Sequence, residues 1–268
     1  MNKEDLVSVI MPTYNAGKYL ADSMNSILNQ TYKNLELLIT DDASTDPTTL
    51  QLLKEYASKD ERVNILYLKE NHGAGYARNK SIERAKGRYI AFCDSDDRWT
   101  TDKLEKQIAF MNKKKCALSC ASYIIFDGET QEEIGFCTAP KKITYGMMKR
   151  DNKVGCLTAI YDVQMLGRKF FMPTIRKRQD WALFLQIIRE CKVCYAYPEK
   201  PLAYYCMRRN SISSNKMSLM KYNIAVYKEI LGFHPIKANL YFFTLFLPTY
   251  GAKILKRKFD SYTFTHQK

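Results

Sequence analysis

Apolar residues come in short runs over the first part of the chain, and each run stops at a polar cluster. Residues 7–11, 35–39, 63–68 and 89–93 are four such runs. Short apolar runs bounded by turn residues predict buried strands. Between them the apolar positions change period. Tyr19/Leu20, Ser23/Met24 and Ile27/Leu28 recur at helical spacing and give a stripe that faces a core. One helix is expected from Gly17, a second over 48–58 with Pro47 near its start, a third over 74–85 and a fourth over 102–112. Strands alternating with helices at this spacing predict βαβ units and a parallel sheet, so the fold class is α/β.

The right-handed crossover rule sends the carboxyl ends of these strands to one edge. Four segments should meet there: Pro12-Thr13-Tyr14-Asn15; Asp41 and Asp42; the loop around His72 with Arg78 beyond it; and Asp94-Ser95-Asp96-Asp97. In an open α/β sheet that edge is where ligands bind. Three Asp within four residues repel one another unless a cation holds them, and hard oxygens suit Mg²⁺ or Mn²⁺. The alternative is a turn cluster in which Asp97 caps a following helix.

After residue 112 the repeat fades. Residues 116–126 read as one strand, Asp127-Gly128 as a hairpin turn into 134–137, 156–161 as another strand and 181–188 as a buried helix. Short strands follow at 193–197 and 202–207, then a basic loop with Arg208 and Arg209. The organisation expected is a domain over 1–215 in two parts, 1–113 and 114–215, with a helical tail over 216–268.

Charge sharpens the picture of the tail. The 268-residue chain carries +14, and residues 201–268 hold 11 Lys and Arg against 2 Asp and Glu. A negatively charged partner is implied: nucleic acid, anionic lipid or a phosphorylated substrate. No nucleic-acid module is present, so nucleic acid is not expected as a partner. The apolar, aromatic stretch over 238–252 is short for a membrane span and is interrupted by Pro248 and Gly251. With Lys253, Lys256, Arg257 and Lys258 behind it, it reads as an interfacial or partly buried helix that meets an anionic membrane surface. The alternative is a helix packed on its own domain or in a dimer; the oligomeric state is left open.

The eight Cys lie mostly in apolar runs, as Cys93, Cys120, Cys156 and Cys206 do, and the amino-terminal residues are polar. A reduced, cytoplasmic setting is expected, with the protein peripheral at the inner face of the cell membrane. Cys191 and Cys194 have close spacing but no second pair at zinc-like distance, and the three His are scattered, which speaks against a zinc site.

Taken together, Val9 to Asn15, Asp41 to Asp46, Asn71-His72-Gly73 with Ala77-Arg78-Asn79, and Asp94 to Asp97 followed by Trp99 and Lys103-Leu104 resemble the family 2 glycosyltransferases of bacterial surface-polysaccharide type. The resemblance covers residues 6 to about 110 in order and extends weakly to about 215. It implies the GT-A fold: a Rossmann-like, mostly parallel sheet flanked by helices, with 1–113 as the nucleotide-binding half and 114–215 as the acceptor-binding half. It further implies inverting transfer of a sugar from a nucleotide diphosphate sugar, a UDP-sugar above all, to a glycan or lipid-linked acceptor, with Mg²⁺ or Mn²⁺.

Carried over residue by residue, Pro12, Thr13, Tyr14 and Asn15 resemble the wall of the nucleotide site. Asp41 and Asp42 resemble the pair that reads base and ribose, and Arg78 the residue that reaches base or pyrophosphate. Asp94 and Ser95 belong to the nucleotide site, with Asp96 and Asp97 as metal ligands. Gln179-Asp180-Trp181 matches the segment that carries the catalytic base. Gln stands where the family usually has Glu, which leaves Asp180 as the base. A nucleotidyltransferase is disfavoured because Pro-Thr-Tyr-Asn replaces a Gly-rich loop after the first strand. A phospho-accepting receiver domain is too short and spaces its acids differently. A non-catalytic sugar-nucleotide-binding subunit is the remaining alternative, and retention of Asp180 argues against it.

Overall fold

The computed structural model describes residues 5–208 and 216–266. The first four strands are β1 (Val7–Thr13), β2 (Leu35–Asp41), β3 (Val63–Tyr67) and β4 (Tyr89–Phe92). Helices α1 (Leu20–Leu28), α2 (Pro47–Lys59) and α3 (Ala74–Arg84) connect them. The strands pair in parallel, in the order β3-β2-β1-β4. Their carboxyl ends therefore share one edge, as the crossover rule requires.

Local chemistry explains where the helices begin. Asp46 accepts from both the Thr49 N–H and the Thr49 hydroxyl, at 2.8 and 2.6 Å, and Pro47 stands in the first turn of α2. Gly73, at φ 90°, leads into α3 in the left-handed region that favours glycine.

The later chain follows as β5 (Arg98–Trp99), α4 (Lys103–Lys114), β6 (Leu118–Ala121), β7 (Tyr123–Asp127), β8 (Glu133–Cys137), β9 (Lys142–Thr144) and α5 (Tyr145–Arg150). Then come β10 (Ile160–Asp162), α6 (Val163–Leu166), α7 (Gln179–Cys191), β11 (Val193–Tyr197) and β12 (Ala203–Met207). Strands β10, β6, β11 and β9 extend the main sheet to eight, with only β10 and β9 antiparallel to their neighbours. A second sheet has the order β5-β12-β7-β8.

Two expectations change here. The segment over 116–126 is two strands in different sheets. The break is at Ser122, whose carbonyl accepts from Leu202 N–H and whose hydroxyl accepts from Ala139 N–H, so the chain leaves one ladder for the other. The segment over 156–161 is a 3₁₀ turn (Cys156–Thr158) before β10.

Two apolar layers cover the main sheet. On one side Val9 and Met11 of β1 pack with Leu20, Met24 and Ile27 of α1 and with Leu104 and Ile108 of α4. On the other, Ile10 and Phe92 join Ile82 of α3 and the Trp181–Ile188 face of α7. Successive residues of β1 thus serve opposite layers, as strand geometry requires.

The carboxyl-terminal segment is α8 (Lys216–Ala225), a π-helical turn (Val226–Ile230), α9 (Pro235–Tyr241), a second π-helical turn (Phe242–Phe246) and α10 (Leu247–His266). Ala238, Phe242 and Phe246 enter the same core as Trp181. The tail thus packs on the domain through one face. Its other face keeps Ile236, Leu240, Phe243, Leu247, Leu255 and Phe259 exposed. Among the described residues no helix is long and apolar enough to cross a membrane.

Candidate active site

At the end of β1, Thr13 is buried with a hydroxyl that has no partner, and Tyr14 is half exposed. Pro12 is buried within the strand. Asn15 takes a left-handed backbone at φ 46°. Its side-chain oxygen accepts from Thr45 N–H at 2.8 Å and Asp46 N–H at 3.0 Å, while its own N–H donates to the Ser44 hydroxyl at 2.9 Å. The loops after β1 and β2 are thereby stitched together.

Asp41 and Asp42 are buried, and both carboxylates organise loops. Asp41 accepts from the Ser44 hydroxyl at 2.5 Å and the Ser44 N–H at 3.0 Å. Asp42 accepts from His72 N–H at 2.8 Å and Gly73 N–H at 2.7 Å. His72 thus contributes its backbone, and its ring lies 4.5 Å from that of Tyr76. A carboxylate has about four acceptor positions, so both acids retain lone pairs for further donors.

Arg78 is buried on α3 and donates to Asp94 Oδ1 at 2.5 Å, while its Nε has no partner. Burial works against its charge. The nearby Asp94, by charge and hydrogen bond, and then Asp180 outweigh that, and the guanidinium is held above its ordinary range. Burial pushes the Cys156 thiol up, against the opposing charge of Arg78.

Beyond β4, Asp94, Ser95 and Asp96 are partly exposed in a turn, and Asp97 is buried. Asp97 caps no helix, because β5 follows it. Its carboxylate accepts from Cys206 N–H at 2.9 Å and so ties the acid cluster to β12. Burial, then the charge of Asp94, pushes Asp96 up to about 6, against the opposing Arg208. Asp97 is pushed well above the carboxylate range by burial and its two acidic neighbours. Arg208 reaches Asp96 at 2.5 Å and lies over the Tyr19 ring. Arg209 lies outside the described residues.

Crowded carboxylates with raised affinity for protons are a donor set that also suits a hard cation. Among the described residues no three His, Cys, Asp or Glu side chains are grouped to hold an ion by themselves. The set fits a metal of the Mg²⁺ type, which takes one or two carboxylates and draws its other ligands from substrate phosphates and water.

Asp180 stands in the first turn of α7, which starts from Arg178 in a left-handed conformation at φ 68°. Arg178 Nε donates to Asn223 at 2.8 Å, and the Trp181 indole donates to the Met148 carbonyl at 2.7 Å. Gln179 covers Gly75, where an added Cβ would lie 2.5 Å from its Nε2. Asp180 Oδ2 accepts from Asn152 Nδ2 at 2.9 Å.

The structure thus joins Arg78 to Asp94 and Arg208 to Asp96, and the strand order puts the loops tied by Asn15, Asp41 and Asp42 at the same sheet edge, while Asp180 lies within electrostatic reach of Arg78. Sequence reasoning missed Ser44, Asn152 and Cys156 as parts of the site. Only Ser44, next to the acids after β2, carried a positional signal.

The family model described as Glycosyl transferase family 2 matches residues 8–170. The chain is 43% identical over 238 residues to the putative teichuronic acid biosynthesis glycosyltransferase TuaG of Bacillus subtilis, covering 89% of this chain and 93% of that one. It is 38% identical over 216 residues to WfgD of Escherichia coli, a UDP-Glc:α-D-GlcNAc-diphosphoundecaprenol β-1,3-glucosyltransferase, covering 81% and 83% of the two chains. Among solved structures it resembles S. aureus TarS 1–349 in complex with UDP-GlcNAc, with TM-score 0.67 and 21% identity over 88% of this chain and 70% of that one. It also resembles the mannosyltransferase PcManGT of Pyrobaculum calidifontis in complex with GDP-Man and Mn²⁺, with TM-score 0.64 and 16% identity over 95% and 75%. These two likenesses establish the fold.

Proposed function

The chain belongs to glycosyl transferase family 2, and on that premise we propose that it transfers a sugar from a UDP-sugar to a hydroxyl of a lipid-diphosphate-linked saccharide in surface polysaccharide synthesis, inverting the anomeric carbon. One observation carries the reading. Arg78, joined to Asp94, also lies within electrostatic reach of Asp180, so the acid cluster and the base candidate flank one buried guanidinium.

An acceptor hydroxyl is a poor nucleophile. Asp180 takes its proton as it attacks, a contribution on the order of 10²–10⁴ in rate. Asn152 holds Oδ2 of that carboxylate and leaves Oδ1 to accept the proton. The new bond forms between the acceptor oxygen and the anomeric carbon as the bond to the nucleotide oxygen breaks, and that bonding pair leaves on the diphosphate. Arg78 and Arg208 place positive charge where the diphosphate gathers negative charge. The unpartnered Thr13 hydroxyl and Arg78 Nε are donors ready for the nucleotide. A Mg²⁺ or Mn²⁺ ion would be held by Asp96 with Asp94 or Asp97 beside it, and would supply neutralisation of the leaving group.

UDP is the donor nucleotide to expect first, because WfgD uses UDP-Glc and TarS is seen with UDP-GlcNAc. A lipid-linked acceptor lies at a membrane. The exposed stripe over Ile236, Leu240, Phe243 and Leu247, with exposed Lys256, Arg257 and Lys258 further along, suits the inner, anionic face of the cell membrane. Each basic residue near such a surface contributes about 1 kcal/mol.

The test is transfer from UDP-glucose to a GlcNAc-α-diphosphoryl lipid, followed by the anomeric configuration of the product. The proposal expects a β-linked glucoside formed only with Mg²⁺ or Mn²⁺. An α-linked product removes the inverting mechanism, and metal-independent transfer removes the role of the ion. Failure with every UDP-sugar removes the donor assignment.

A further inference from the structure

We infer that Lys253, on α10 at the far end of the chain, is a positioning residue for Asp180 and acts through Asp151 and Asn152. The inference rests on the reading of Asp180 as the base.

The Lys253 ammonium donates to the Asn152 carbonyl at 2.5 Å and pairs with the Asp151 carboxylate at 3.2 Å. Asp151 is buried, and Lys153 is its second cationic partner at 3.1 Å. The carboxylate is therefore compensated from two sides, one local and one brought by the tail. A buried carboxylate that loses such a partner is left under-compensated, and the turn that carries it must move or hydrate.

That turn also carries Asn152, whose amide is fixed at both ends. Its oxygen accepts from Val154 N–H at 3.1 Å, and its nitrogen donates to Asp180 Oδ2 at 2.9 Å. The Val154 bond settles which end of the amide faces the base. Lys253 holds the backbone of this residue, Val154 orients its side chain, and the side chain orients Asp180.

The same segment is clamped by other parts of the tail. Tyr227 donates to the Lys149 carbonyl at 2.9 Å. The rings of Tyr227 and Phe246 pack on Trp181, the residue after Asp180, at 5.7 and 5.6 Å between centroids. The carboxyl-terminal helices therefore hold the surroundings of the base from both sides: through the 148–153 segment and through Trp181. Lys253 is the member of this grip that acts through charge, so it can be removed with little loss of packing.

The experiment compares Lys253→Met, Lys253→Arg, Asn152→Ala and the Lys253→Met/Asn152→Ala double variant in the full chain. The readouts are UDP affinity and steady-state UDP release from the UDP-sugar that the wild type turns over fastest. A misplaced catalytic group costs up to about a hundredfold in rate. Lys253→Met is expected to lower kcat at least about tenfold, with KM for the donor and affinity for UDP within about twofold of wild type. Lys253→Arg should recover most of the loss. The double variant should be no slower than the slower single variant, because both act along one path. A folded Lys253→Met protein with wild-type kcat overturns the inference, as do losses that multiply in the double variant. The reading of Asp180 fails separately, and is recognised by Asp180→Asn keeping wild-type kcat.

Discussion

In the loops that follow β1, β2 and β3, the residues that hold one another are neighbours in the βα repeat. Asn15 ties to Ser44 and Asp46, and Asp42 to His72 and Gly73, at separations of 29 to 31 residues. Around Asp97 and Asp180 the partners are far apart. Asp97 meets Cys206 across 109 residues, and Asn152 meets Lys253 across 101. The first half builds its site as each unit closes on the one before it. The second completes its site only when the end of the chain has returned to the core. Nucleotide binding and catalysis should therefore separate under mutation, and changes in the tail should strike the second.

The largest expected effect is on the base. Asp180→Asn should lower kcat by roughly 10²–10⁴ in a UDP-release assay. If nucleotide affinity falls with it, the two sides are not separable in this way. Next comes the buried face of the tail. Phe242 is fully buried against Phe246, in the cluster that holds Trp181. Phe242→Ala should destabilise by about 3–5 kcal/mol in urea unfolding. The variant that remains folded should lose kcat before it loses UDP binding.

A smaller effect sharpens the contrast from the nucleotide side. Lys103 is fully buried over the Trp99 ring, its ammonium has no partner, and burial lowers it to about 7 from 10.5. Between those two values the unfolded chain binds the proton that the folded chain releases, so stability rises with pH across that window. Lys103→Met should raise stability at pH 7 by roughly 1–3 kcal/mol, and the gain should vanish above about pH 10.5. Urea melts at several pH values check this, with UDP affinity unchanged.

The same division governs what could be read from the chain. The four runs ending at Asn15, Asp42, the His72 loop and Asp94 are local patterns, and the β3-β2-β1-β4 order follows from them by handedness. The acid cluster at the end of β4 was visible for the same reason. The sheet change at Ser122, the two-residue β5 and the grip of Phe246 on Trp181 follow no local period. They are fixed by partners such as Leu202 and Ala139, which the sequence places far away. The tail showed its apolar and basic character but not which face it buries, because one periodic stripe packs on Trp181 while another stays in solvent.

The separation of the two sides is tested most directly by calorimetric titration of UDP, with and without Mn²⁺, into the wild type, Asp96→Ala and Asp180→Asn. The account predicts Mn²⁺-dependent binding to the wild type, binding to Asp180→Asn within about twofold of it, and a loss of at least about tenfold in Asp96→Ala, the step expected when a charge-assisted contact worth about 1.5–3 kcal/mol is removed. Metal-dependent UDP binding that survives in Asp96→Ala but disappears in Asp180→Asn would contradict it.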